Sequence, residues 1–283
     1  MILKTLGRIG FGSMQLTGSG HWGAADDPEN SIRVLRDAVS AGVRHIDTAD
    51  AYGPFTAEKY IRKALHPYPD DLLIATKGGL TRQGPNKWAP CGRPEYLRQC
   101  VEMSLRRLQI DRIGLYYLHR IDPAVPVADQ LGVLSDMQTE GKIGHIGVSK
   151  VNAEQLRVAS RLVTVAAVQN KYSIADRHSE NILRHCESND ITFVPYAPLA
   201  TGALTSSRAL GKLAVRYGTT PAQLVLAWLL HHSHAIAAIP GSRCSAHIYE
   251  NIAAIDLSLT RDDSAAIDAA VSSPTSIGWA GQE

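Results

Sequence analysis

The chain has 283 residues, with 45% hydrophobic and 20% charged side chains and a formal net charge of +2. That length suits one α/β barrel or two ordinary domains, and the composition is that of a globular chain with a sizeable core. A charge so close to balance gives no reason to expect nucleic acid or an anionic membrane as partner, while leaving room for a local cluster that binds a small anion; no apolar run approaches the ~20 residues of a spanning helix.

In chain order, residues 1–12 carry no apolar stretch after Lys4, so no secretory leader is expected and the protein reads as cytoplasmic. Residues 9–14 form the first strand-like run. Residues 30–41 follow with Ile32, Leu35, Ala38 and Val39 on one helical stripe, and Gly42 stops them as a C-terminal cap. The run 44–47 ends on Asp47, and the polar turn after it delivers Tyr52. The run 72–77 ends on Lys77. A helix is expected over 96–108, with Pro94 near its start where a missing N–H costs little. Run 113–119 ends on His119, a helix covers 127–140, and run 143–149 ends on Ser149. A helix at 153–160 leads to the run 165–169, and a helix at 179–188 leads to 192–196. The helix 221–231, the run 235–239 and helices over 246–254 and 261–271 complete the series.

Eight short apolar runs alternating with amphipathic segments predict a (β/α)8 TIM barrel, one domain over 1–283, whose strands are buried on both faces. The competing open sheet wants a Gly-x-Gly-x-x-Gly turn after the first strand, and Gly10-Phe11-Gly12-Ser13-Met14-Gln15 does not supply it. The cysteines Cys91, Cys100, Cys186 and Cys244 lack metal-ligand spacing and read as reduced thiols. His231, His232 and His234 follow a helix, where histidines suit the dipole, and lie toward the rim opposite the polar strand ends. No metal site is expected.

In a barrel, groups at the C-terminal ends of strands converge on one mouth. Alternation places His119 on a face with Ile113, Leu115 and Tyr117, and Lys77 on a face with Leu73 and Ala75. Singly, Asp47, Tyr52, Lys77 and His119 read as a turn carboxylate, a packed aromatic, a solvated strand end and a core histidine. Together they make a catalytic set. A lysine beside a tyrosine favours the phenolate and lowers its pKa, an aspartate keeps the lysine charged, and a neutral histidine can polarise a carbonyl.

These segments resemble the aldo-keto reductases from end to end. Gly10 to Met14, His45-Ile46-Asp47 with Tyr52, Ile74 to Lys77 and Leu115 to His119 are similar to that family's first strand and catalytic segments. Gly144 to Ser149, Val168 to Asn170, Tyr196 to Leu199 and Ile239 to Arg243 are similar to its cofactor-binding segments. The resemblance implies an NADP(H)-dependent reductase of a small carbonyl, with Tyr52 as general acid, Lys77 and Asp47 tuning it and His119 orienting the carbonyl. It further implies that Ser149 and Gln169 hold the nicotinamide carboxamide while Tyr196 stacks on the ring. Gly12, Ser13, Met14, Asp47, Pro198, Leu199, Gly202, Ile239, Gly241, Ser242, Arg243, His247, Glu250 and Asn251 complete the expected cofactor contacts, with Arg243 on a 2′-phosphate and NADP(H) favoured over NAD(H).

The chain departs from the family at Lys150, where an asparagine is common, at Gly241, where many members carry lysine, and at His247, where many carry arginine. Little precedes Gly10 to plug the barrel floor and no long C-terminal loop is expected, so Trp22 and Trp88 are the expected apolar substrate walls. The segments Gly12 to Leu16 with Gly18, Asp50 to Pro54 and Pro67 to Leu72 are similar to those of bacterial pyridoxal reductases (pyridoxine 4-dehydrogenases), which implies pyridoxal as a substrate. The protein is expected to act as a monomer or small homo-oligomer. Two other classes stay open: a cofactor-binding regulatory subunit like the family's potassium-channel β subunits, and a Schiff-base lyase using Lys77.

Overall fold

The computed structural model describes residues 2–202 and 204–272. A single helical turn, α1 (Leu3–Leu6), leads into β1 (Phe11–Gly12), α2 (Pro28–Ser40), β2 (His45–Asp47), α3 (Thr56–Leu65) and β3 (Leu73–Gly78). A hairpin, β4 (Leu80–Gly84) and β5 (Lys87–Pro90), precedes α4 (Pro94–Leu108) and β6 (Ile113–Leu118). Then come α5 (Val127–Thr139), β7 (Ile143–Ser149), α6 (Ala153–Leu162), β8 (Val165–Gln169), α7 (Glu180–Ser188) and β9 (Thr192–Phe193). Four helices, α8 (Arg208–Arg216), α9 (Pro221–His232), α10 (Ser245–Ala253) and α11 (Arg261–Ser272), complete the described chain.

Seven strands pair in parallel in the order β1-β2-β3-β6-β7-β8-β9. The stretch 235–239 closes the ring, with Ile236 bridging Phe193 on one side and Ala238 bridging Ile9 on the other. The expected (β/α)8 barrel is therefore present, but its eighth member is held by isolated bridges rather than a continuous ladder. Leu73, Ala75, Leu115, Tyr117, Ala167, Val194, Ala237 and Ile239 fill the inside. Ile2 and Leu6 pack under them, so one turn of helix closes the floor where little was expected to. Tyr117 has room because Gly147 lies beside it on the next strand: a Cβ there would come within 2.5 Å of the ring. Ile113 belongs instead to the outer core with Tyr116 and Leu118, so it does not share the inward face of His119.

Helix α2 begins earlier than the apolar pattern because its first turn is set by a cap. Asp27 accepts from the amide of Asn30 ahead of Pro28 in α2. α3, α8 and the hairpin are absent from the sequence expectation. In α3 the buried face carries Glu58, which accepts from Thr76 Oγ1 at 2.7 Å and Arg107 Nε at 2.5 Å. A carboxylate on the inner stripe breaks the periodicity on which helix assignment depends.

The histidines after α9 are engaged separately: His231 against the Leu257 carbonyl at 3.1 Å, His232 against Glu180 at 3.0 Å and stacked on Trp228. Among the described residues no helix is long and apolar enough to cross a membrane.

Candidate active site

β2 and β3 run in parallel with Asp47 beside Ala75, which brings Asp47 and Lys77 over the same inner face. Lys77 is fully buried, and its three donors meet three acceptors: Asp47 Oδ1 at 2.5 Å, the Thr48 carbonyl at 2.8 Å and the Tyr52 hydroxyl at 3.4 Å. Such pairing is what makes a buried ammonium tolerable. The other Asp47 oxygen accepts from Gln169 Nε2 at 2.7 Å, so a residue 122 positions away fixes the carboxylate. Tyr52, on the turn after β2, stands edge-on to His119 at 5.9 Å and to Trp88 at 6.4 Å between ring centres.

Burial works against the Lys77 charge, but Asp47 and Tyr52 outweigh it and hold the ammonium above its ordinary pKa. Tyr52 departs from the sequence expectation. Lys77 does pull its pKa down, yet burial, aided by Asp47 and Asp50, wins and raises it, so the phenol keeps its proton at neutral pH. Burial, followed by the charges of Lys77, Lys150, Arg120 and Arg82, drives His119 well below the usual histidine range, leaving a neutral imidazole. Its Nδ1 has no hydrogen-bond partner among the described residues.

Above this cluster opens a cleft of about 600 Å³. Asp47, Tyr52 and His119 line its reactive end, and Lys77 lies just beneath. Of the expected cofactor contacts, Gly12, Met14, Asp47, Ser149, Gln169, Tyr196, Pro198, Leu199, Gly202, Ile239, Gly241, Ser242, His247, Glu250 and Asn251 line the same cleft. Gly12 and Gly241 meet at its edge, so closely that a Cβ on Gly241 would come within 2.5 Å of the Gly12 carbonyl. Ser149 Oγ donates to the Gln169 carbonyl at 2.9 Å.

Ser13 and Arg243 do not line the cleft. Ser13 is fully buried behind it, its amide donating to the Asp47 carbonyl. Arg243 spends Nε and Nη2 on the carbonyls of Gln15 at 2.5 Å and Thr17 at 2.6 Å, so it braces the loop after β1 rather than reaching inward. Of the two tryptophans, Trp88 lines the cleft, whereas Trp22 is 39% exposed and lies outside it. The cleft also takes in His21, Asn86, Arg120 and Lys150, which the sequence reading had not placed there. Arg120 and Lys150 directly follow the strand-end groups His119 and Ser149, a position that is itself a usable signal in a barrel.

Comparisons with known proteins point to one family. A family profile, Aldo/keto reductase family, matches residues 8–272. An uncharacterized oxidoreductase of Schizosaccharomyces pombe is 41% identical over 92% of this chain and 85% of its own length. Pyridoxine 4-dehydrogenase of Escherichia coli is 38% identical over 94% of this chain and 95% of its own. The crystal structure of an aldo-keto reductase from Klebsiella pneumoniae in complex with NADPH superposes with a TM-score of 0.81 at 26% identity, covering 95% of this chain and 93% of that one.

Proposed function

The chain belongs to the aldo/keto reductase family, and we propose that it is an NADPH-dependent carbonyl reductase in which Tyr52 protonates the carbonyl oxygen. The observation that carries this reading is the contact of Lys77 with both Asp47 and Tyr52 next to a neutral His119.

The cleft fits a dinucleotide. Its far end meets the start of α10, which has neither a capping side chain nor an acidic residue in its first turn and so leaves amide groups for a phosphate, with Ser242 and His247 alongside. At the reactive end, Gln169 commits its amide nitrogen to Asp47, leaving Oε1 to accept from a carboxamide. Bound there, the dihydronicotinamide supplies the hydride.

The protein supplies position and the proton. His119 donates a hydrogen bond that orients the carbonyl and draws charge onto its oxygen. As that oxygen gains electrons, Tyr52 gives it the phenolic proton, and Lys77, held charged by Asp47, stabilises the phenolate left behind. The raised pKa of Tyr52 keeps the proton in place until then, and solvent returns it afterwards.

The relative named pyridoxine 4-dehydrogenase makes pyridoxal the first carbonyl to test. Loss of NADPH absorbance with pyridoxal is the expected result, and turnover at background removes that substrate. Tyr52→Phe is expected to lower kcat by about 10²- to 10⁴-fold, with the NADPH dissociation constant within about twofold of wild type. Near-normal turnover in this variant would exclude Tyr52 as the acid.

A further inference from the structure

Most half-buried and buried cations of this fold have protein partners. Lys77 has three, Arg8 donates to the carbonyls of Ile236, Leu230 and Ser233, and Arg107 meets Glu58. Two cations at the cleft mouth differ, the half-buried Arg120 and the more exposed Lys150. The side chains of Arg120 and Lys150 make no hydrogen bond or ion pair with any described residue, and Arg120 Nε is buried without an acceptor.

Their closeness is built into the barrel. β6 and β7 pair in parallel with Leu118 beside Val148, so two residues further along, Arg120 and Lys150 leave the sheet side by side. Like charges in neighbouring register repel, and no carboxylate among the described residues relieves them. Lys150 is also held in the left-handed region at φ 54°, its amide donating to the Gln169 carbonyl at 3.0 Å. A non-glycine residue adopts that conformation only at some cost. From there its ammonium lies 5.3 Å from the centre of the Tyr196 ring, at the reactive end of the cleft. Both charges are felt by His119. They stand apart from the Ser242 and α10 end, where cofactor phosphates fit.

We infer that Arg120 and Lys150 form an anion subsite for a carboxylate or phosphate group carried by the carbonyl substrate itself. This rests on the reductase reading above and narrows it to anionic aldehydes and ketones. The planar Arg120 fork suits two oxygens at once, and Lys150 adds a point charge from the adjacent strand.

The test compares carbonyls that differ only in charge: succinic semialdehyde against its methyl ester for a carboxylate, and pyridoxal phosphate against pyridoxal for a phosphate. With the wild-type protein and NADPH, the kcat/KM of at least one anionic member exceeds that of its neutral mate by about tenfold or more, and Arg120→Gln and Lys150→Gln each reduce that ratio by about tenfold. Arg120→Lys retains part of it, which separates lost charge from lost structure. Whichever pair shows the preference identifies the anion. Ratios near one for both pairs, or ratios unchanged in the glutamine variants, overturn the proposal. So does a weakened NADPH affinity with the substrate ratio intact, because it assigns the two cations to the cofactor. Should no carbonyl be reduced, the reductase reading falls alone, and binding decides the subsite. Succinate quenching intrinsic fluorescence more strongly than succinamide, with the preference lost in Arg120→Gln, upholds it; equal binding rejects it.

Discussion

Asp50 shows how much a residue's chemistry depends on what the fold brings to it. From the sequence it is one more turn acid beside Tyr52. In the structure it is buried, and its carboxyl is pushed up to about 7 by burial first and by the nearby Glu58 charge second, while Cys100, Arg107 and the Ala51 amide offset part of the rise. A carboxyl whose folded pKa lies above its unfolded value binds more protons when folded, so its contribution to stability is fully present below about pH 4 and is lost as the pH rises through about 7. Asp50→Asn, which cannot ionise, is therefore expected to raise Tm at pH 8 by roughly 5 °C relative to wild type and by much less at pH 5. Parallel melting curves at the two pH values check this, and equal shifts would show that Asp50 is ionised at no cost. Asp47, Lys77 and His119 were legible because each sits at a strand end, where sequence position alone implies the mouth, and Tyr52 because it lies on the turn that follows one. The surroundings of Asp50, Arg120 and Lys150 were not, although the last two directly follow strand-end groups. Burial and the lack of a counter-charge are made by residues distant in sequence, and neither leaves a periodic trace.

At the scale of elements, the β4–β5 hairpin decides the substrate side of the cleft, and one side chain holds it. Arg82 donates to the carbonyls of Lys87 at 3.0 Å, His21 at 2.8 Å, Ala51 at 2.6 Å, Gly20 at 3.1 Å and Gly84 at 3.2 Å. Its guanidinium also lies 3.5 Å from the centre of the Trp88 ring. The hairpin, the loop after β1 and the turn bearing Tyr52 thus share a single pin, and Trp88 is held edge-on to Tyr52 by it. Arg82→Ala is expected to raise KM for an apolar aldehyde about tenfold and to change NADPH affinity little. Arg82→Lys does not restore KM, because an ammonium cannot serve five carbonyls in one plane. Steady-state kinetics beside a cofactor titration separate the two effects; an unchanged KM in the alanine variant would mean that the hairpin stands without its pin. The strand-like character of 80–90 was hidden in the sequence. Leu80 and Gly84 are the buried residues among those of the two strands, so the hairpin has almost no alternating apolar face. Its order comes from Arg82 instead.

At the scale of the whole molecule, the strand–helix alternation was enough to give the barrel, because eight buried runs separated by amphipathic helices have few other solutions. What the alternation does not reveal is that the ring is uneven. β6 and β7 are in register over five residue pairs. The closing stretch 235–239 has single bridges to Phe193 and Ile9, with hydrogen bonds from Gly10 N to the Ala238 carbonyl at 2.8 Å and from Ala238 N to the Arg8 carbonyl at 2.9 Å on one side, and from Phe193 N to the Ala235 carbonyl and Ala237 N to the Phe193 carbonyl, both at 2.9 Å, on the other. The cleft runs along this seam, with Gly12 and Met14 on one lip and Ile239, Gly241 and Ser242 on the other. A ligand lying in it touches both lips, so part of its binding free energy acts to keep the ring shut. NADPH at a hundred times its dissociation constant adds about 3 kcal/mol of stability. Hydrogen exchange is expected to slow most at the amides of Gly10, Ala237 and Ala238, and less in β6 and β7. Uniform slowing around the ring would show that the seam is no weaker than the rest.

The two bridges thus make the barrel a hoop with a clasp. Its circumference closes on fewer paired residues there than at β6 and β7, and the cargo it carries presses on that last fastening. Loading and tightening become one event, and an empty hoop is the one that springs open first.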